Sequence, residues 1–181
     1  MPESGTQEDM FSSAMAACGP AIARLVRGYE FDGGRQDELS QEIQVALWRS
    51  FAVYDGRCSL RTWTFRIAHN VAVSHIAKAR RSRRSTWISL EDIAELPQQG
   101  DAETALGEAL ALERIRGIVR SLRPPDAQIV LLWLEGEEAA AIAEITGVTS
   151  GAVATKISRI KAALARHFQQ SQFQEGGPDN D

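Results

Sequence analysis

Along most of this chain apolar residues return every three or four positions, the repeat of a helix that packs one face and wets the other. Between Phe11 and Tyr29 the positions Met15, Ile22, Leu25 and Val26 predict one helix, or two interrupted at Gly19-Pro20, after a polar, frayed terminus over residues 1–10. The glycines of FDGGRQ (Phe31 to Gln36) mark a turn. A second helix is expected from Asp37, with Leu39, Ile43, Ala46 and Leu47 inward and Glu38, Gln41, Glu42 and Arg49 around the other side. Asp37 and Glu38 would then suit the positive end of its dipole. Asp55-Gly56 is a turn signal, and Ser59 is the expected N-cap of a third helix whose inner stripe is Leu60, Trp63, Ile67 and Val71. Thr62, Arg66, His69, Asn70 and Arg80 fall on its other side.

The helical repeat returns at Leu106. Leu112, Ile115, Val119 and Leu122 form a stripe ended by Pro124-Pro125. Asp126 is a candidate cap for AQIVLLWLEG, with Ile129, Leu132 and Trp133 as core positions and Gly136 as the stop. A short helix from Glu137 to Thr146 turns Ile142 and Ala143 inward, Gly147-Val148-Thr149 is a turn, and a last helix runs from Ser150 to Phe168. That helix buries Val153, Ile157, Ile160 and Leu164 and presents Thr155, Ser158, Arg159, Ala162 and Arg166. The fold class read from this pattern is all-α: two small helical domains, an N-terminal bundle over 1–86 and a C-terminal unit over 106–170, followed by a disordered tail over 171–181. An acidic flexible linker over 87–105 joins them, where Glu91, Asp92, Glu95, Asp101 and Glu103 surround Pro97, Gln98, Gln99 and Gly100.

Charge sharpens the picture because it is segregated. The chain carries a net charge of -4, yet Ser59 to Arg84 holds Arg61, Arg66, Lys78, Arg80, Arg81, Arg83 and Arg84 without one acid. Such a stretch is a local footprint for a polyanion, although an amphipathic helix with a solvated basic face has the same composition. Cys18 and Cys58 lack metal-ligand spacing and read as thiols without a special role. No apolar run approaches the roughly 20 residues that cross a bilayer, and MPESGTQEDM has acids where a signal peptide has bases, so a cytoplasmic protein without membrane insertion is expected. His69, His75 and His167 pair with no nucleophile and no ligand set, and no Gly-rich phosphate loop precedes a helix. An enzyme is therefore not expected, nor a cofactor or metal. The histidines read as surface or DNA-facing residues.

EEAAAIAEITGVTSGAVATKISRIKAAL, two short helices across a Gly-containing turn, fits the helix-turn-helix pattern that sets its second helix in the major groove. A plain helical hairpin would share its buried positions. In the DNA-reading arrangement Ser150, Ala154, Thr155 and Arg159 face base edges, while Lys156 and Lys161 hold phosphates and fix register.

Three motifs in order, DELSQEIQVALWRSF, YDGRCSLRTWTFRIAHNVAVSHIAKARR and LRPPDAQIVLLWLEGEEAAAIAEITGVTSGAVATKISRIKAAL, resemble the sigma-70 family of bacterial initiation factors in its compact extracytoplasmic-function class. The resemblance implies two domains, the family's region 2 and region 4, and two main partners, core RNA polymerase and promoter DNA. Asp37, Leu39, Gln41, Glu42 and Trp48 would dock on the beta-prime clamp helices, and region 4 on the beta flap. The loop Asp55, Gly56, Arg57 to Ser59 with Asn70 would take an extruded base of the −10 element, and Arg61, Arg66, His69, Arg80 and Arg81 would hold the opened strand. Ser150, Ala154, Thr155, Lys156, Ser158 and Arg159 would read the −35 element. An anti-sigma protein is a further partner implied by the family. Trp63 and Phe65 lie within reach of an unstacked base, though Trp63 also belongs to the apolar stripe. The sequence departs from the family at Ala139, Ala140 and Ala141, where an aromatic and acids are common, and at Ala154, where a base is common. The second departure bears on −35 preference.

The competing reading is a conventional helix-turn-helix regulator with an N-terminal dimerisation or sensor domain. It leaves the basic, Trp-containing helix without a task. Tight binding to duplex DNA without polymerase would distinguish it.

Overall fold

In the computed structural model, residues 6–81, 87–90, 92 and 105–173 are described, the side chains of 80–81, 105–108, 110–111 and 166–173 excepted, and the described residues form seven α-helices. The first bundle consists of α1 (Gln7–Tyr29), α2 (Gly33–Phe51) and α3 (Leu60–Arg81), each packed on the other two.

The expected break at Gly19-Pro20 does not occur, and α1 runs through Pro20. Proline removes one backbone hydrogen bond to residue 16, but Ala16 and Pro20 both face solvent, where water can serve the freed carbonyl. Cys18, Ala21, Ile22 and Leu25 are buried beside the proline, and their packing favours a helix that continues through it. Thr6 and Asp9 close the N-terminus reciprocally, Thr6 Oγ1 accepting from Asp9 N at 3.2 Å and Asp9 Oδ2 from Thr6 N at 3.0 Å.

The second helix starts at Gly33 rather than Asp37, because the Asp32 carboxylate accepts from Arg35 N at 3.0 Å and captures the two glycines into the first turn. Asp37 and Glu38 therefore sit one turn further in, away from the dipole end. Ser59 caps α3 as expected, its Oγ accepting from Thr62 N at 3.0 Å.

The stripe expected to bury α3 is only half-buried. Deepest are Phe65, Ala68 and Ala72, together with the polar Thr64 and His69, because α3 is covered by α1 and by the second unit as well as by α2. This corrects the reading of His69 as DNA-facing. It is 1 % exposed, its Nδ1 lies 3.0 Å from Tyr29 Oη, and burial pushes its pKa down to about 3. His75 is buried too, with Nδ1 3.1 Å from the Glu42 carboxylate, and the His167 side chain lies outside the described residues.

The second unit is α4 (Ala105–Ser121), α5 (Pro124–Leu134), α6 (Ala139–Thr146) and α7 (Ser150–Phe173). Gly147 at φ 75° ends α6 and makes the turn into α7. The start of α5 falls at Pro124, so Asp126 is not its cap; it is an inward, buried carboxylate. Every residue of α5 from Asp126 to Leu132 is buried, as an all-round apolar helix must be. Leu112, expected in the core, is exposed, while Val119 and Leu122 hold the α4 contact.

The head of the expected linker belongs to this unit. Ile88 forms a parallel bridge with Leu122, donating to Ser121 O at 3.0 Å and accepting from Arg123 N at 2.9 Å, and Leu90 is buried. Residues 93–104 of the linker, and 174–181 of the expected tail, lie outside the described residues.

The two units touch. Along α1, Gly28 meets α5 so closely that a Cβ there would stand 2.5 Å from Leu131 Cδ2, and α3 lies on α6.

Because the folded pKa of His69 is depressed below the ordinary 6.5, the unfolded chain binds the extra proton first, so His69 leaves stability intact above about 6.5 and removes it as pH falls towards 3. The slope is up to about 1.4 kcal/mol per pH unit in that window. Urea midpoints measured from pH 7 to 4 should fall more steeply for the native chain than for His69→Gln.

Candidate polymerase and promoter interfaces

Three surfaces carry the residues singled out from the sequence. The first is the outer side of α2. Asp37, Gln41 and Trp48 are exposed along one side, Gln41 one turn and Trp48 about three turns beyond Asp37, Trp48 at 41 %, and Glu42 borders them through its bond to His75. Leu39 does not belong to the row: it is 0 % exposed in the core, so it supports the helix and meets no partner. Sequence reasoning missed Val45 and Val53, exposed at 49 % and 72 %. Val45 stands at the i+4 position from Gln41, between Asp37 and Trp48, so the helical repeat alone could have found it. Trp48 is held from behind by the edge of Phe11 at 5.5 Å, and its carbonyl accepts from Gln7 Nε2 at 2.6 Å.

The second surface is the loop Asp55 to Ser59 with the start of α3. Gly56 at φ 74° turns the loop, the Asp55 carboxylate accepts from Arg57 N and pairs with Arg57 Nε at 2.9 Å, and Tyr54 Oη donates to Cys58 O at 2.5 Å. Asp55, Gly56, Arg57 and Ser59 are exposed, as is Asn70 further along α3. Trp63 packs rather than waits for a base, tilted against Tyr54 at 5.4 Å with Nε1 donating to Ser50 Oγ at 3.0 Å.

The arginines on this surface are engaged from the other unit. Arg61 Nε donates to Glu137 Oε1 at 2.6 Å while its guanidinium lies 4.8 Å over the Phe65 ring, and Arg66 donates to Glu144 O at 2.8 Å. Arg24, one face of α1 away, clasps Glu135 with two bonds of 2.7 Å. Glu135 and Glu137 have side chains only 12 % and 11 % exposed, so these pairs are less screened than surface ones. Cys18 lies buried near Arg61, and burial raises its thiol pKa. The side chains of Arg80 and Arg81 lie outside the described residues.

The third surface is the outer face of α7, where Ser150, Ala154, Thr155, Ser158 and Arg159 are all exposed. Lys156 is not among them. Its Nζ lies 2.5 Å from Asp126 Oδ1, and so the lysine expected on phosphate is turned inward to a buried carboxylate. Lys161 stands over the Trp133 ring at 5.8 Å. Among the described residues no three of His, Cys, Asp and Glu come together as a metal-ligand set, and no helix is long and apolar enough to cross a membrane.

Comparison with known proteins assigns both units. A family model for sigma-70 region 2 matches residues 14–82, and a model for sigma-70 region 4 matches residues 112–164. The chain belongs to the sigma-70 family. A curated relative, a probable RNA polymerase sigma factor RfaY of Xanthomonas campestris pv. campestris, is 22 % identical over 169 residues, covering 90 % of this chain but only 41 % of the relative's length. The solved structure of CnrH in complex with the cytosolic domain of CnrY shares the fold, with a TM-score of 0.64, 22 % identity and 92 % of each chain covered. Region 2 thus falls on α1 to α3 and region 4 on α4 to α7.

The second unit already engages the guanidinium groups of Arg61 and Arg66, so a polyanion binding there would have to compete with it. Glu137→Gln should raise the affinity of the free chain for single-stranded DNA by a few-fold, the range of about 0–1 kcal/mol for one such pair. Fluorescence anisotropy with a labelled oligonucleotide checks it. Gly28→Val, which wedges a side chain against Leu131, should separate the units and enlarge the radius of gyration seen by small-angle scattering.

Proposed function

We propose that this chain is a non-enzymatic sigma factor of the extracytoplasmic-function class, which binds core RNA polymerase in the cytoplasm and directs initiation through −10 and −35 elements. The observation that carries the reading is the ordered match of region 2 and region 4 to two helical units with outward faces of different chemistry. A half-apolar row on α2, of Asp37, Gln41, Val45 and Trp48, suits docking to a protein. Its partner would be the beta-prime clamp helices, with region 4 on the beta flap. The loop Asp55 to Ser59, Asn70 and the arginines Arg61, Arg66, Arg80 and Arg81 suit an unpaired strand. Ser150, Ala154, Thr155, Ser158 and Arg159 suit a groove.

An anti-sigma protein is a second proposed partner, supported by the structural relative having been solved bound to the cytosolic domain of another protein. The conventional regulator has no comparable support, since both matched regions, and not only the helix-turn-helix, are those of one initiation factor.

Run-off transcription with purified core enzyme is the direct test. The chain should confer promoter-dependent initiation, and duplex DNA should be retained in a gel shift far better with core than without it. Replacing Asn70, Arg61 and Arg66 by alanine should abolish open-complex formation; undiminished initiation would remove the −10 assignment. Trp48→Ala should weaken binding to core by about 2 kcal/mol, roughly thirtyfold, if the exposed tryptophan anchors the contact. Surface plasmon resonance against immobilised core measures that loss.

A further inference from the structure

We propose that Asp126 is a positioning residue which sets the −35 recognition helix against the start of the interdomain linker. The inference rests on the sigma reading above. Asp126 is 2 % exposed and its carboxylate is shared among three parts of the second unit. Oδ1 takes the ammonium of Lys156 from the second turn of α7 at 2.5 Å. Oδ2 takes the amide of Leu90, from the docked head of the linker, at 3.1 Å, and the Arg123 guanidinium from the N-cap of α5 at 3.4 Å.

A buried ion pair is a poor source of stability, since removing both charges from water costs about as much as their attraction recovers. What such a pair supplies is direction. Lys156 lies beside Thr155 and one turn from Arg159, so the angle at which α7 is held by Asp126 is the angle at which those outward residues meet DNA. Leu90 belongs to the short segment, residues 87–90, in which Ile88 pairs with Ser121 and Arg123 and by which the chain coming from α3 reaches the second unit before α4. The same carboxylate therefore fixes where the chain from region 2 joins the second unit and how the reading helix is turned. Loss of its charge releases the docked segment and loosens α7 together, and both changes act on the distance between the two promoter elements that one molecule can span.

The test is transcription in vitro with purified core, full-length chain and a set of promoters that share both elements but differ by single base pairs in spacer length. The native chain should show a sharp optimum. Asp126→Asn should flatten it, lowering the ratio of best to displaced spacers by about tenfold, within the range for members of one coupled network. Lys156→Arg, which keeps the pair, should keep the optimum, and Arg159→Ala should reduce use of the −35 element at every spacer without moving it. Should Asp126→Asn fail to fold by circular dichroism, Asp126→Asn with Lys156→Met removes both charges, leaves none buried alone, and is read in the same way. A folded variant with native affinity for core and an unchanged spacer profile overturns the proposal. A native chain that initiates on no spacer would instead overturn the sigma reading beneath it.

Discussion

The two units are joined by α1 packing on α4 and α3 on α6, and between them Leu131 of α5 approaches the bare backbone of Gly28. Only a residue without a Cβ lets α1 come so near α5, and α5 needs that cover because its apolar residues point in every direction. Around this apolar centre stand Arg24 with Glu135, Arg61 with Glu137 and Arg66 with the Glu144 carbonyl. A packed centre with a charged rim is the anatomy of a domain interface that can form and part. None of the rim contacts is strong alone, but two units on one chain meet at high effective concentration, and modest contacts then suffice.

On the sigma reading this closure sorts the surfaces by availability. The α2 row and the outer face of α7 stay open to solvent while region 2 and region 4 are together. Arg61 and Arg66 are instead engaged across the interface by Glu137 and the Glu144 carbonyl. A protein partner can therefore dock on α2 without disturbing the interface, whereas an unpaired strand must displace Glu137 and the Glu144 carbonyl to reach the same arginines. Docking first and strand capture second is the order that needs the fewest broken contacts at each step.

Much of this was legible in the residues. The seven helices, the Ser59 cap, the Gly147 turn and the outward row of α7 follow from periodicity and turn chemistry that act within a few positions. What was not legible came from neighbours distant in sequence. Gly19-Pro20 reads as a break until the burial of Cys18 and Ile22 is known, and Asp37 reads as a helix start until Asp32 is seen to cap Arg35 N. His69 carried the face of a DNA contact because the cover provided by Tyr29 is non-local, and Leu39 was carried over with its motif although its own spacing put it inside. Lys156 looked free because its partner Asp126 lies thirty positions earlier and was itself taken for a cap. One signal was present and unused: the run IVLLWL is apolar on more faces than one bundle of small helices can cover, which already calls for a second covering surface.

The Arg61 to Glu137 pair also bears on ionic strength. A basic site that is bare before binding gathers small anions, loses some of its own attraction to DNA, and frees the cations condensed on each phosphate it meets, which gives nucleic-acid binding its steep fall with salt. Here a carboxylate already occupies the guanidinium, and added salt loosens that internal pair at the same time as it weakens the phosphate contact. On the sigma reading that exchange spares Arg61 the release of its own bound anion and so trims its share of the salt dependence, while the cations freed from the phosphate still count in full.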